Sequence, residues 1–320
     1  MILLTGAAGF IGSNILAALL KAGHTVWCID DLTDGRKCRN LVQPGNRLYM
    51  DWHFFEDRLR KNEVRLPITA IVHQGAITDT TATNGRETMN ANYTFSSGLL
   101  GYATDRNIPM IYASSAAVYG SSRCFEEQHQ HEKPATPYAV SKWLFDNMVR
   151  QNGGDKVTGL RYFNVYGPGE EHKDGMASLA YKTFIACAQR RSIGIFEGSG
   201  EIYRDFVYVD DVVDVVMWFL EEALSGKAHA GIYNVGTGTA RTFECMAVQA
   251  LMRTRGYTTV DFNSSVFREE VRHMPFPEKL KENYQYYTCA DLTALRTAGY
   301  AKPFLSLEEG LERYWKRFAS

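Results

Sequence analysis

Residues 1–14, MILLTGAAGFIGSN, decide the fold of this 320-residue chain. The apolar run at 2–5 predicts a buried strand, and the amphipathic run at 11–22 predicts a helix that ends before Gly23. Three glycines lie between these two elements: Gly6, Gly9 and Gly12. Glycine tolerates the backbone of a tight turn and lets a ligand approach the main chain closely. The stretch therefore predicts a strand–turn–helix unit with a ligand at the turn.

A turn of this kind, GxxGxxG, suits a pyrophosphate, because the helix start offers free N–H groups and the positive end of the helix dipole. Asp30 and Asp31 end the next predicted strand about 20 residues on, where an acceptor for the adenosine ribose hydroxyl is expected. Glycines alone are also compatible with a turn that binds nothing. The flanking strand, helix and acids favour a dinucleotide site.

Short β-branched runs alternate with amphipathic stretches through the first half of the chain. This pattern predicts an α/β fold, a Rossmann-type doubly wound parallel sheet with helices on both faces. A smaller mixed α/β lobe is expected to bind the substrate. The predicted dinucleotide-binding domain covers 1–165 plus about 205–236, and the substrate lobe mainly 166–204 and 237–320.

The composition excludes several classes of protein. The net charge is −1 with 22% charged residues, so no basic surface for nucleic acid is expected. The six cysteines form no CxxC pair, which indicates free thiols in a reducing compartment. His129 and His131 lie in a polar stretch, are expected in a solvated loop, and predict no metal site. The longest later apolar run, 212–220, is too short for a bilayer. We expect a soluble cytoplasmic protein.

Two further motifs indicate catalysis. In YASSAAVYG (112–120), Ser115 stands at the predicted end of a strand. Tyr138 and Lys142 in PYAVSK lie four residues apart, on one face of a predicted helix. A free tyrosine has a pKa of about 10. An ammonium and a positive nicotinamide could lower that pKa by ~3 units, which needs about 4 kcal/mol of differential interaction. Ser115 could hold the reacting oxygen for proton transfer.

The glycine turn, the stretch HQGA at 73–76, Ser115 and the Tyr138–Lys142 pair follow one another along the chain. In this order, the motifs resemble those of the extended short-chain dehydrogenase/reductases. Nearly the whole chain also resembles the ADP-heptose 6-epimerases among the nucleotide-sugar epimerases. The stretches that carry this resemblance are RYFNVYGP (161–168), HKDGMAS (172–178), FEGSG (196–200), RDFVYVDD (204–211) and PFPEKLK (275–281).

The resemblance implies inversion at C6 of ADP-D-glycero-D-manno-heptose, a step toward the lipopolysaccharide inner core. The reaction is expected to proceed by transient oxidation with NADP, or alternatively NAD. It also implies a homo-oligomer, with a pentamer as one option.

The family pattern assigns site residues. Tyr138 and Lys173 would act as acid/base groups, assisted by Ser115 and Lys142. The cofactor residues would be Gly6, Gly9, Phe10, Ile11, Gly12, Asp30, Asp31, Lys37, Gln74, Gly75, Ala76, Lys142, Val165 and Lys173. The substrate residues would be Ser115, Asn164, Gly175, Lys182, Phe196, Glu197, Gly198, Ser199, Arg204 and Tyr284. Arg204 would bind the diphosphate, since a guanidinium suits paired phosphate oxygens.

The chain departs from the family pattern at five positions. Gly175 stands where a serine is frequent, and Lys182 where a histidine is common. Asp31, Trp52 and Ala91 stand in place of asparagine, lysine and asparagine near the expected cofactor contacts. None of these changes touches Tyr138, Lys142 or Lys173.

Other functions stay open from the sequence. A UDP-hexose 4-epimerase shares most of the motifs. A dehydratase would need an acidic pair after Ser115, where the chain has Ala116 and Ala117. A non-catalytic protein that senses NAD(P) would not need Ser115, Tyr138 and Lys142 together, so their presence favours an enzyme.

Overall fold

In this computed structural model the structure describes residues 1–79, 84–257, 269–278 and 284–319. Twelve strands are found in the described ranges. They are β1 (Ile2–Thr5), β2 (Val26–Asp30), β3 (Arg47–Asp51), β4 (Ala70–His73), β5 (Met110–Ser115), β6 (Val157–Tyr162), β7 (Asn164–Tyr166), β8 (Ile193–Phe196), β9 (Tyr203–Tyr208), β10 (Gly231–Val235), β11 (Ala240–Thr242) and β12 (Val271–Met274).

Seven of these strands form one parallel sheet in the order β10-β6-β5-β4-β1-β2-β3. The chain winds outward from β1 in one direction and then from β4 in the other, which places a switch point between these two strands. Ligands of such sheets bind at the carboxyl ends of the strands beside the switch point. The Rossmann-type fold predicted from the sequence is confirmed.

Ten α-helices are found in the described ranges. They are α1 (Phe10–Lys21), α2 (Trp52–Arg60), α3 (Gly85–Met89), α4 (Phe95–Asp105), α5 (Pro137–Asn152), α6 (Leu179–Ala188), α7 (Val209–Leu224), α8 (Phe243–Arg255), α9 (Thr293–Thr297) and α10 (Leu307–Ala319). A π-helical turn, Asn90–Thr94, joins α3 to α4.

Strands β1, β2 and β4 are buried along their whole length, because both faces of the sheet are covered. On one face Leu16 of α1 packs in a core with Phe219 of α7. On the other face Leu99 of α4 and Phe145 of α5 pack with Phe55 of α2. Parallel strands covered on both sides need apolar side chains on both faces, and this is why they appear in the sequence as continuous apolar runs.

Two small sheets stand apart from the central one. β7, β9 and β11 form a mixed three-stranded sheet, and β8 pairs with β12. Residues 203–208 therefore belong to the three-stranded sheet, whereas α7 and β10 return to the central sheet. The division into a dinucleotide domain and a substrate lobe at the boundaries given above stays a proposal.

None of the helices in the described parts of the chain combines the length and apolar character that a membrane span requires.

Candidate active site

A cleft of about 1280 Å³ opens at the carboxyl ends of the central strands. It is large enough for two extended ligands, since sites for single drug-sized molecules are about 300–1,000 Å³. Residues predicted for cofactor, catalysis and substrate line this one cleft. They are Gly6, Gly9, Phe10, Ile11, Gly12, Asp30, Asp31, Lys37, Gln74, Gly75, Ala76, Ser115, Tyr138, Lys142, Asn164, Val165, Lys173, Lys182, Phe196, Ser199 and Tyr284.

Four predicted substrate residues do not line the cleft: Gly175, Glu197, Gly198 and Arg204. Glu197 and Gly198 are exposed at the end of β8. Gly175 is bonded through its carbonyl to Lys182 Nζ at 2.6 Å, so two departures from the family pattern contact each other. The substrate roles of these residues stay predictions.

The glycine turn has the shape that the sequence predicts. Gly6 adopts φ +69°, and a Cβ there would lie 2.6 Å from the backbone nitrogen of Gly75. A Cβ on Gly12 would lie 1.9 Å from the carbonyl oxygen of Gly6. Larger residues are therefore excluded by the packing of the turn against α1 and β4. Gly9 is the N-cap of α1 and provides no side chain to cap it, which leaves the helix start available to an anion.

At the adenosine end the charges are largely paired within the chain. Asp30 accepts a hydrogen bond from the Ala8 N–H at 2.7 Å and an ion pair from Lys37 Nζ at 2.7 Å. The carboxylate of Asp31 accepts from the Thr33 N–H and hydroxyl, and these bonds outweigh partial burial, so its pKa lies below the usual value. Asp31 is therefore an anion at neutral pH.

Gln74 follows β4 at the centre of the cleft. Tyr162 donates its hydroxyl proton to Gln74 Oε1 at 3.0 Å, while the buried Gln74 Nε2 has no hydrogen-bond partner among the described residues. A buried donor without a partner is costly, so this amide can bind a polar group of a ligand. The observation fits the predicted cofactor contact.

The catalytic motif residues converge as the sequence predicts. Thr136 caps α5 through its hydroxyl, and the first turn of the helix presents Tyr138. Lys142 is buried one turn later, with Nζ donating to the Ala113 carbonyl of β5 at 2.8 Å. The Ser115 hydroxyl lies close enough to the Tyr138 phenol to act on its pKa. Strand β5 and helix α5 together therefore fix three groups around one point.

The protonation of these groups differs from the sequence-based expectation in one respect. Burial raises the pKa of Tyr138, the negative charge of Asp146 raises it further, and the Ser115 hydrogen bond lowers it. Burial also lowers the pKa of Lys142 to about 8, against the opposing effect of Asp146. The protein groups around Tyr138 therefore raise its pKa rather than lower it.

Lys173 reaches the same cleft from a different element. It lies on the 3₁₀ segment Glu171–Met176 after β7, and its Nζ stands 5.4 Å from the centroid of the Phe10 ring. Burial lowers the pKa of Lys173, and the carboxylate of Glu170 partly opposes that effect. The lysine is therefore easier to deprotonate than a surface lysine.

The segment that carries Lys173 is held at both ends. Glu170 is buried and accepts from the Ser178 N–H and hydroxyl and from the Tyr314 hydroxyl of α10. Arg36 binds Asp174 with two hydrogen bonds of 2.7 Å. Asp174 has φ +45°, a conformation that costs energy for a residue other than glycine. Arg36 thereby links the adenosine end of the cleft to the Lys173 segment.

Arg204 lies just behind the wall of the cleft. Its side chain is buried, and its guanidinium stands 5.1 Å from the ring of Tyr284 and 5.6 Å from that of Phe243. Among the described residues no carboxylate pairs with it, because the neighbouring Asp205 accepts from Thr237, Gly238 and Ala290 instead. Burial lowers the pKa of Arg204 to about 10. An unpaired buried cation favours an anionic ligand.

Two buried residues that the sequence patterns did not reveal support the site. Asn92 in the π-helical turn bonds the Ile77 N–H and carbonyl and the Ser141 hydroxyl, so it joins the loop after β4 to α5. Asp146 binds β5 and β6 from α5. Asp146 follows Tyr138 by eight residues and lies on the same helix face. This spacing is the sequence signal that could have identified Asp146 as part of the site.

The loop predicted around His129 and His131 is solvated unevenly. His129 is exposed as expected, but His131 is packed beside Cys124 and Glu126, with only 21% of its side chain exposed. These three residues offer ligand atoms that all lie within 4.8 Å of one another. The loop folds back on itself after 120, which the irregular spacing 124, 126, 131 does not reveal.

Comparisons with known proteins agree with this geometry. Helicobacter pylori ADP-L-glycero-D-manno-heptose-6-epimerase is 28% identical with a TM-score of 0.79, over 100% of this chain and 96% of that one. Thermotoga maritima UDP-glucose 4-epimerase with UDP-glucose is 25% identical with a TM-score of 0.82, over 99% and 98%. Bacillus cereus UDP-glucuronic acid 4-epimerase with NAD shares the fold, at 22% identity and a TM-score of 0.79, over 99% and 98%.

The sequence also matches the profile of one enzyme family over residues 2–236, which is most of the chain and includes the glycine turn, Ser115, Tyr138, Lys142 and Lys173. This chain belongs to the NAD dependent epimerase/dehydratase family.

Proposed function

We propose that this protein inverts the configuration at C6 of ADP-D-glycero-D-manno-heptose by transient oxidation and re-reduction. The observation that carries the proposal is the placement of two acid/base groups, Tyr138 on α5 and Lys173 on the segment after β7, along one cleft. Inversion requires proton transfer at two faces of one carbon, and groups from different elements suit that requirement. The full-length similarity to the Helicobacter pylori enzyme supports the choice of substrate.

The residues of the cleft fit a nicotinamide dinucleotide. The uncapped start of α1 and the close glycine packing suit the pyrophosphate. The unpartnered Gln74 amide and Val165 lie further along the same cleft. A nicotinamide held by these residues would supply the acceptor for the hydride of the substrate carbon and the donor for its return.

The side chains of the chain move the protons. In the oxidation step the Tyr138 phenolate or the neutral Lys173 amine takes the proton of the C6 hydroxyl, while the C6 hydride leaves and the C–O bond becomes a carbonyl. Ser115 holds the reacting oxygen, and Lys142 positions the ribose. The exocyclic arm then rotates about its bond to the ring. The second acid/base group protonates the new alkoxide as the hydride returns to the opposite face.

The substrate end of the cleft suits a nucleoside diphosphate. Arg204 is a buried cation without a carboxylate partner in the described residues, and Tyr284 covers it from the cleft side. Phe196 and Phe243 add apolar surface. We therefore assign the diphosphate to the Arg204 side and the base to the aromatic wall.

For the cofactor, the family resemblance implies NADP, while the charges of this chain favour NAD. Asp31 is an anion beside the ribose position, and Lys37 is paired to Asp30. Arg36 is engaged by Asp34 and Asp174. A 2′-phosphate would face Asp31 without a free cation, whereas a 2′-hydroxyl can donate to a carboxylate. The NAD in the Bacillus cereus enzyme agrees with this choice.

The direct test is incubation with ADP-D-glycero-D-manno-heptose, followed by NMR of the C6 configuration. We expect the D,D and L,D epimers to approach equilibrium without net release of reduced cofactor. Persistence of a single epimer would contradict the proposal. The cofactor is identified by denaturing the purified protein and analysing the released nucleotide.

A 4-epimerase acting on a UDP-hexose is the second candidate, because the Thermotoga maritima enzyme aligns over nearly the whole chain. Incubation with UDP-glucose and detection of UDP-galactose separates the two. Conversion of UDP-glucose without conversion of the heptose substrate would replace the first proposal with the second. The homo-oligomeric state stays a prediction, to be measured by light scattering.

A further inference from the structure

A network of buried charged side chains lies close to the proposed catalytic residues Tyr138 and Lys142. Asp146 is on α5, one helical turn after Lys142 and two turns after Tyr138, and its side chain is fully buried. Residues spaced by four and eight lie on the same face of a helix. The carboxylate therefore occupies the same helix–sheet interface as the two catalytic groups.

Four hydrogen bonds reach this carboxylate from two strands. Tyr112 donates at 2.9 Å and Ser114 at 3.0 Å, both from β5. Arg161 of β6 donates from Nε at 3.0 Å and from Nη2 at 2.8 Å. Ser114 immediately precedes Ser115, so Asp146 joins the strand that carries the catalytic serine to the helix that carries Tyr138 and Lys142.

Other charged or titratable groups lie near Asp146 on the elements that pack around it. Arg161 also binds Glu132, which Arg150 of α5 holds from the other side at 2.5 Å. His73 of β4 faces Lys142 and is neutral, because burial lowers its pKa to about 3. Among the described groups, Asp146 is thus the carboxylate that acts electrostatically on both Lys142 and Tyr138.

A purely structural role would not require a charge at this position. Buried ion pairs contribute little net stability relative to apolar residues of similar volume. A charge near a buried ammonium, in contrast, favours its protonated form. Burial alone would make Lys142 neutral more readily, and the nearby carboxylate opposes this.

We propose that Asp146 is a positioning residue that keeps the Lys142 ammonium charged and aligns Ser115 with Tyr138. The inference rests on the proposed roles of Tyr138 and Lys142 as an acid/base group and its assisting cation. Tyr112 and Arg161 are the partners that hold the carboxylate in place.

The test is an NMR titration of the full chain labelled with ¹³C at the lysine ε-carbon, with the Lys142 signal assigned from a Lys142→Arg variant. In Asp146→Asn we expect the Lys142 midpoint to fall by about 1 pH unit. Tyr112→Phe is the matched control, because it removes one neutral donor to the same carboxylate and retains the charge. Its Lys142 midpoint is expected to stay at the wild-type value.

A kinetic measurement provides the second readout. Removing the Asp146 charge lowers the pKa of both Lys142 and Tyr138, so both limbs of the pH–rate profile of Asp146→Asn should move to lower pH. A structural defect alone would reduce the rate without moving the limbs. An unmoved Lys142 midpoint overturns the proposal, and so do limbs that stay at their wild-type pH.

If Asp146→Asn does not fold, Asp146→Asn/Arg161→Met removes the carboxylate together with its cationic partner, and a smaller downward shift of the Lys142 midpoint is expected. The NMR readout requires no substrate, so it stands even if the heptose assignment fails. Full activity of Tyr138→Phe would contradict the proposed function, whereas an unshifted Lys142 in folded Asp146→Asn contradicts only the role of Asp146.

Discussion

The two proposed acid/base groups of the cleft are held in place in different ways. Tyr138 stands on a 16-residue helix whose inner face is fastened to β5 and β6 by Lys142 and Asp146. Lys173 stands on a six-residue 3₁₀ segment that contains a positive-φ aspartate. The first group belongs to the core of the fold, and the second depends on a few hydrogen bonds of a connecting segment.

Because of this difference, we expect the Tyr138 side and the Lys173 side to affect different parts of the proposed reaction. Under the proposed function, the Tyr138 side provides a phenol, a serine and an ammonium for proton transfer. The Lys173 side holds the departures Gly175 and Lys182, which contact each other, and under the proposed function it contacts the substrate. Substitutions on the Tyr138 side should therefore abolish the reaction, whereas those on the Lys173 side should slow the proton transfer at the opposite face of the carbon.

The largest expected effect is that of Tyr138→Phe. Losing an acid/base group costs roughly two to four decades in rate, and the ring is retained, so the fold should be unchanged. Epimerisation is measured by NMR, and circular dichroism and cofactor content serve as controls. A variant as active as the wild type would remove Tyr138 from the mechanism.

Lys173→Met should come next, with a loss of roughly two decades. Because this variant lacks the second proton donor, it should retain cofactor and process an already oxidised aldehyde analogue slowly. Lys182→Met is the comparison variant, since its amine bonds the Gly175 carbonyl of the same segment. An equal loss in both variants would indicate that the segment, rather than the Lys173 amine, is responsible.

Glu170→Gln tests the anchor of the Lys173 segment. The carboxylate accepts from the backbone and side chain of Ser178 and from Tyr314, and an amide cannot accept all of these bonds. Loosening a buried polar anchor costs about 1–3 kcal/mol, so we expect a roughly tenfold lower rate. The rate of cofactor reduction is measured by stopped flow. The Lys142 titration is the control for the Tyr138 side, and an unchanged Lys142 midpoint would show that the effect is confined to the Lys173 side.

The same two regions show what a sequence can predict. The glycine turn and the Tyr138–Lys142 pair were found because their spacing follows directly from strand, turn and helix geometry. The parallel sheet was found because strands buried on both faces are continuous apolar runs. Local periodicity was sufficient for all of these features.

The remaining features depend on contacts between distant residues. Asp146 meets Tyr112 across 34 positions, and Arg36 meets Asp174 across 138. Lys173 was assigned only through the family pattern, because a lysine in a polar segment has no local signal of its burial. The packing of His131 against Cys124 was missed for the same reason.

The smallest expected effect concerns the adenosine end, which both regions share through Arg36. Asp31→Asn removes a partly exposed negative charge that would repel a 2′-phosphate, and the NADP-to-NAD ratio of dissociation constants should fall roughly fivefold, because solvent screens the interaction. Fluorescence titration with NADH and NADPH measures both constants. Asp34→Asn is the matched control: its carboxylate is paired with Arg36 in the same loop, so its loss should change the ratio less. If Asp31→Asn leaves the ratio unchanged while Asp34→Asn shifts it, then Arg36 with its partners Asp34 and Asp174, rather than Asp31, selects the cofactor. The adenosine end would then be coupled to the Lys173 segment through Asp174.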